Sequence, residues 1–164
     1  MIASEQNIRV ALFPGSFDPF TIGHEDIVRR ALALFDRVVV AVGVNPAKRG
    51  LMEVSERVRI IERVFADEPR VEVSSYEGLT VEECRRVGAR WIVRGVRGGS
   101  DFEMERTNAM VNGEVAPEVE TLMLCTRSEY EIVSSSVVRE LLAFGGDVQR
   151  FMPRGVDINE YLNR

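Results

Sequence analysis

Apolar positions along this chain follow two alternating patterns. Val-rich runs, apolar at most positions, fall at residues 8–13, 37–44, 70–74, 90–94 and 120–124. Runs of that length suit strands buried on both faces of a parallel sheet. Between them, apolar residues recur at helical spacing. The first such stretch carries Ile27, Val28, Ala31, Leu32 and Phe35, and the second, about 55–65, carries Val58, Ile61, Val64 and Phe65. A third opens on Thr80-x-x-Glu83, a capping-box pattern, and reaches Val87. A fourth covers about 101–111, and a fifth begins near Ser136 and buries Val137, Val138, Leu141 and Leu142. A short helix over about 157–162 ends the pattern, and Trp91 and the methionines read as core.

Five strands interleaved with helices predict a doubly wound, Rossmann-like α/β fold: a five-stranded parallel sheet with helices on both faces. No repeat, linker or low-complexity stretch divides the chain, so residues 1–164 read as a single domain. In a parallel sheet every strand ends at the same edge, and ligands bind there. The first strand is followed by Pro14-Gly15-Ser16 and then His24, and the second by Asn45-Pro46-Ala47-Lys48-Arg49. The third leads to Tyr76-Glu77-Gly78-Leu79-Thr80, the fourth to Arg94-Gly95-Val96-Arg97, and the fifth to Tyr130-Glu131-Ile132-Val133-Ser134-Ser135-Ser136. One edge therefore collects cations, glycines and hydroxyls, a set suited to a polyanion.

Charge sharpens that reading. The chain carries 21 Lys+Arg against 26 Asp+Glu, a net charge of −5, which argues against general nucleic-acid binding but not against a small phosphorylated substrate. Two isolated cysteines, Cys84 and Cys125, predict reduced, buried thiols, and a single histidine makes a protein-built zinc site improbable. No apolar run approaches the length of a membrane span and no leader pattern opens the chain, so a soluble, cytoplasmic protein is expected.

Particular residues then take candidate roles. Phe13-Pro14-Gly15-Ser16-Phe17-Asp18-Pro19-Phe20-Thr21-Ile22-Gly23-His24 joins a buried strand to a helix N-terminus, where exposed N–H groups and the helix dipole favour a phosphate. His24, in the first turn, can donate to charge developing on a transferred phosphoryl group. Arg94 and Arg97 can grip phosphate, or can instead be salt-bridged to Asp101 or Glu103. Lys48 sits in a Pro-bearing loop that could swing over the site, although a solvated lysine is the commoner fate. One serine of Ser134–Ser136 serves as an N-cap, and the others are free to face a triphosphate. Glu103, Glu105 and Arg106 read as a charged helix face from which Glu105 could reach a ribose hydroxyl. A Ser16/His24/Asp18 nucleophilic triad lacks any nucleophile-elbow pattern and is set aside.

These blocks resemble the nucleotidyltransferases that carry a T/H-x-G-H motif. Gly15-Ser16-Phe17-Asp18-Pro19, Thr21-Ile22-Gly23-His24, Asn45-Pro46-Ala47-Lys48, Arg94-Gly95-Val96-Arg97, Asp101-Phe102-Glu103-x-Glu105 and Ile132-Val133-Ser134-Ser135-Ser136 run in the order of the bacterial phosphopantetheine adenylyltransferase family, over nearly the whole chain. The resemblance implies adenylyl transfer from ATP to 4′-phosphopantetheine, giving dephospho-coenzyme A and pyrophosphate, without a covalent enzyme intermediate. It implies catalytic roles for His24 and Lys48, and acceptor binding by Ser16, Lys48, Thr80 and Arg94. ATP binding falls by the same resemblance to Ser16, Phe17, His24, Gly95, Val96, Arg97, Glu105 and the run Tyr130, Glu131, Ile132, Val133, Ser134, Ser135, Ser136. It further implies Mg²⁺ carried mainly by ATP phosphates and water, a homohexamer, and feedback inhibition by coenzyme A. Ala47, Met104, Thr80 and the stretch Thr126-Arg127-Ser128 depart from the family pattern, and they touch the pantetheine-arm contacts more than the transfer chemistry. The alternatives are a related transferase using nicotinamide mononucleotide or glycerol 3-phosphate, and a nucleotide sensor without catalysis.

Overall fold

A computed structural model describes residues 8–47 and 49–162. Strands β1 (Val10–Gly15), β2 (Arg37–Gly43), β3 (Val71–Tyr76), β4 (Trp91–Val96) and β5 (Glu120–Cys125) form one sheet in the order β3-β2-β1-β4-β5. All four pairings are parallel. Helices α1 (Ile22–Ala31), α2 (Val54–Val64), α3 (Thr80–Val87), α4 (Gly99–Val115) and α5 (Ser135–Ala143) alternate with the strands and follow the last one. The doubly wound α/β expectation holds.

The two-residue period of the strands splits the core. Ala11, Phe13, Val38, Val40, Val42 and Val93 face α1, α2 and α5 through Ile27, Val28, Ile60, Ile61 and Val138. Val10, Leu12, Val39, Ala41 and Ile92 face the other layer, meeting Val81 and Cys84 of α3 and Ala116 just past α4. Burying both faces explains why the strands read as unbroken apolar runs.

The chain winds outward from β1 in both directions, so the topological switch point lies between β1 and β4. There the ladder is short: Ala11 pairs with Trp91 and Leu12 with Ile92, whereas β1 and β2 stay in register from Val10↔Arg37 to Gly15↔Val42. Beyond Leu12 the two strands part, and a crevice opens at their carboxyl ends, where open α/β sheets bind ligands.

Several local expectations are corrected. The capping box at Thr80-x-x-Glu83 does not form. Leu79 is the N-cap of α3, the Thr80 hydroxyl pairs with the Tyr76 hydroxyl at 2.9 Å, and the Glu83 carboxylate is taken by Ser74 and Arg86. α4 begins at Gly99 and runs on to Val115, because Pro117 forces only Ala116 out of helical geometry. The last helix reduces to a 3₁₀ turn, Ile158–Glu160, capped by Asp157. Cys125 is exposed while Cys84 is buried. Trp91 packs half-buried against the core and Met52 and Met152 lie within it, as expected, whereas Met104 and Met110 lie exposed on α4.

Candidate functional site

A trough with two lobes occupies the crevice. The first lobe lies over the β1–α1 junction and α5, lined by His24, Gly95, Arg97 and Val133–Ser136 among others. The second lies over β3 and α4, lined by Gly43, Tyr76, Thr80, Asn108 and Asn112 among others. Pro14, Gly15, Ser16, Arg94 and Glu105 line both lobes. Two ligands lying one in each lobe would meet at Ser16 and Arg94.

Helix α1 starts at the first lobe with a reciprocal cap. The His24 N–H donates to Thr21 Oγ1 at 3.4 Å, and the Thr21 N–H donates to His24 Nδ1 at 3.0 Å. Because Nδ1 accepts, the ring proton sits on Nε2, a tautomer set by this cap. Around the ring stand Phe17 at 5.2 Å and Phe20 at 5.4 Å between centroids, with Phe13 at 6.2 Å. Burial among these rings, reinforced by the charges of Arg94 and Arg97, pushes the His24 pKa down to about 3. His24 is thus a neutral hydrogen-bond donor at physiological pH.

Helix α5 aims a second N-terminus at the same lobe. Ser134 is its N-cap, accepting from the Val137 N–H at 3.2 Å, as one of the three serines was expected to do. Ser135 Oγ donates to the Pro19 carbonyl at 2.8 Å, tying α5 to the β1–α1 loop. Arg139, one turn on, donates to the Asp18 carbonyl at 2.7 Å and to Ser136 Oγ at 3.1 Å. Two helix N-termini and nearby guanidiniums make the lobe favourable to negative charge.

Arg94 is held more tightly than its place at a strand end suggests. Its Nε donates to Glu105 Oε2 at 2.8 Å, its Nη2 to Glu105 Oε1, and its Nη1 to the Pro14 carbonyl. The pairing with Glu105 replaces the Asp101 or Glu103 partner weighed for it, while Arg97 does pair with Asp101, at 2.7 Å. Three of the five guanidinium N–H groups of Arg94 are engaged, so two remain for an anion at the junction of the lobes. Glu105, expected on a charged helix face, is one of the most buried charged residues described.

The remaining candidates separate. Ser16, Phe17, Thr80, Gly95, Arg97 and Val133–Ser136 line the trough, whereas Tyr130, Glu131 and Ile132 do not. The Val96 side chain is buried away from it, and Lys48 lies outside the described residues. Asn108, Asn112 and Arg139 line the trough without having been singled out. The spacing of Glu105, Asn108 and Asn112 along one face of α4 is the signal that could have found the first two.

Comparison with known proteins places this geometry in a class and then in a family. The cytidylyltransferase-like family profile matches residues 12–141. Among solved structures, a putative nicotinate-nucleotide adenylyltransferase from Vibrio parahaemolyticus superposes with a TM-score of 0.67 at 18% identity, over 89% of this chain and 87% of that one. A bifunctional NMN adenylyltransferase/ADP ribose pyrophosphatase from Francisella tularensis gives a TM-score of 0.71 at 14% identity, covering 92% of this chain and 46% of that chain. At such identities the likeness is one of fold; the family profile is what puts the chain among the nucleotidyltransferases.

Sequence relatives narrow the class. The phosphopantetheine adenylyltransferase of Porphyromonas gingivalis is 51% identical over 89% of this chain and 95% of its own length. That of Phocaeicola vulgatus is 47% identical over 93% of this chain and 100% of its own length. The chain belongs to the phosphopantetheine adenylyltransferase family.

The cap on His24 has a direct solution signature. His24 is the single histidine of the chain, so ¹⁵N NMR of the imidazole should show one Nε2–H tautomer with no titration between about pH 5 and 8. Since its pKa in the folded protein lies below the usual 6.5, the unfolded chain is protonated first. The histidine's contribution to stability is intact above about pH 6.5 and is lost as pH falls from there toward 3. A midpoint near 6.5 in the folded protein would mean that the Thr21 cap and the burial do not control the ring.

Proposed function

We propose that this chain transfers the adenylyl group of ATP to 4′-phosphopantetheine, forming dephospho-coenzyme A and pyrophosphate, the penultimate step of coenzyme A synthesis. The observation that carries the reading is the two-lobed trough whose lobes meet at Ser16 and Arg94, beside a neutral Nε2–H donor. Family membership supplies the substrates. ATP occupies the lobe with two helix N-termini, and the pantetheine arm occupies the lobe of Tyr76, Thr80, Asn108 and Asn112.

Transfer is direct. An oxygen of the acceptor phosphate, held at Arg94 and Ser16, attacks the α-phosphorus of ATP in line. The bond from that phosphorus to the bridging oxygen breaks, and pyrophosphate leaves with the electron pair. The acceptor phosphate is already anionic, so no general base is required. His24 Nε2–H serves the charge that builds on the α-phosphate oxygens, where a positioned donor contributes most. Gly95, Arg97, Glu105 and the stretch Val133–Ser136 hold the nucleotide. Lys48 is assigned to the phosphates by resemblance alone.

Mg²⁺ enters this reading with its substrate. Asp101 and Glu105, the carboxylates lining the first lobe, are each held by an arginine, and no group of three or more metal-ligating side chains gathers among the described residues. The ion would be held by ATP phosphate oxygens and water, where it supplies charge neutralisation. Coenzyme A unites a pantetheine arm with an adenine nucleotide and so spans both lobes, which supports its role as feedback inhibitor. Exposed Phe102, Met110 and Val115 on α4 support assembly into a homohexamer. No helix described is long and apolar enough to cross a membrane, and a biosynthetic reaction on ATP supports a cytoplasmic location.

Pyrophosphate release decides between acceptors. With ATP, 4′-phosphopantetheine should give dephospho-coenzyme A, while nicotinamide mononucleotide and glycerol 3-phosphate give little product. A higher kcat/KM for either rival would replace the acceptor assignment. Light scattering at micromolar concentration should return a mass near six chains, and a monomer throughout that range would contradict the hexamer. His24→Ala should lower kcat by about a hundred- to a thousandfold while direct titration finds ATP binding little changed. Collapse of ATP binding with normal single-turnover rates at saturating ATP would make His24 a ground-state ligand instead.

A further inference from the structure

A buried ion pair lies behind the trough rather than in it. Asp18 and Arg57 are both buried, with Arg57 Nε 3.4 Å from Asp18 Oδ1. Both are held by backbone groups. The Asp18 carboxylate accepts from the Leu51 N–H at 2.7 Å and the Met52 N–H at 3.0 Å. Arg57 donates to the Met52 carbonyl from Nε at 3.0 Å and Nη2 at 2.7 Å, and to the Ser16 carbonyl from Nη1 at 3.3 Å. Gly50 closes over the pair: a Cβ there would stand 1.8 Å from Arg57 Nη2 and 2.9 Å from Asp18 Oδ2.

Burying two charges is a poor way to add stability, since desolvation offsets much of their attraction. What this pair does is specify geometry. It joins the loop after β1 to the segment after β2, which no strand ladder connects beyond Gly15↔Val42. Next to it Phe17 holds a left-handed backbone with φ of +46°, an outlier for a bulky side chain. The Phe17 ring is itself packed against Phe13 and Phe20, each 5.3 Å away. Arg57 grips the carbonyl of the peptide that links Ser16 to Phe17. In a planar trans peptide the C=O and N–H point opposite ways, so the Phe17 N–H is turned away from Arg57. Ser16 and Phe17 both line the first lobe, and the Phe17 N–H makes no hydrogen bond to any described protein group.

We propose that Asp18 and Arg57 are positioning residues for adenylyl transfer: from outside the trough they lock the Ser16–Phe17 peptide so that its N–H faces phosphate in the trough. The proposal rests on the adenylyl-transfer reading for its rates and on geometry alone for nucleotide affinity. Arg57→Lys keeps the charge beside Asp18 but cannot reach both the Met52 and Ser16 carbonyls. Gly50→Ala displaces the guanidinium and changes no charge.

The test measures ATP affinity by calorimetry and kcat/KM by pyrophosphate release, at temperatures well below each variant's own Tm. Both variants should weaken ATP affinity and lower kcat/KM, the latter by about ten- to a hundredfold, since misplacing a positioning group by about 1 Å costs that order of rate. A purely structural pair predicts lower Tm with wild-type affinity and kcat/KM in both, and that result overturns the proposal. Full rescue by Arg57→Lys overturns it as well, because charge alone would then suffice. Weakened ATP affinity in variants of a wild-type protein that releases no pyrophosphate would uphold the positioning and reject the transfer reaction.

Discussion

Hydrogen bonding between β1 and β4 stops after Leu12 and Ile92, and most of what this molecule can do depends on that break. Parallel strands carry their chain ends to one edge, and a reversal of winding beside β1 keeps the loops at that edge from covering the gap. Had β1 and β4 stayed paired to their ends, Pro14 and Arg94 would have been occupied in a ladder. Instead the Pro14 carbonyl accepts from the Arg94 side chain, and a guanidinium sits where a strand pairing would otherwise continue. The two lobes of the trough are the two sides of that bridge.

The protein is acidic overall, yet its trough faces ligands with cations. Carboxylates paired with them make this possible. Glu105 fixes Arg94, Asp101 fixes Arg97, and Asp18 fixes Arg57 one layer further back. Each pair removes rotational freedom from a long side chain before a ligand arrives, which is how a site comes to be organised in advance of the charge it must meet. His24 shows the same economy without an ion pair. A backbone N–H claims one ring nitrogen and the phenyl rings keep the other neutral, so the donor is present at every pH near neutrality.

The chain's own pattern made much of this legible. Strand period, helical period and the positions of glycine and proline are local properties. They determined the five parallel strands, the alternation of helices and the edge at which Ser16, His24, Arg94, Arg97 and Ser134–Ser136 collect. Ser134 was legible as an N-cap for the same reason: the residues it bonds lie within one turn.

What stayed hidden was decided by partners far away along the chain. Glu105 reads as solvated in sequence because its helix has little apolar periodicity, and only the docking of α4 beside β4 buries it against Arg94. Thr80 and Glu83 have the spacing of a capping box, but Tyr76 and Ser74 compete for their oxygens once β3 lies alongside α3. Tyr130–Ile132 share a run with residues that line the trough, yet the 3₁₀ turn at Ser128–Tyr130 carries them past it. Asp18 and Met52 stand 34 positions apart, and nothing in the sequence shows that the carboxylate of one receives the backbone N–H of the other. The sequence by itself determined which elements form and where a polyanion would be met. Tertiary structure alone decided which charges are paired and which donors stay free, because those pairings are made between segments that only folding brings together.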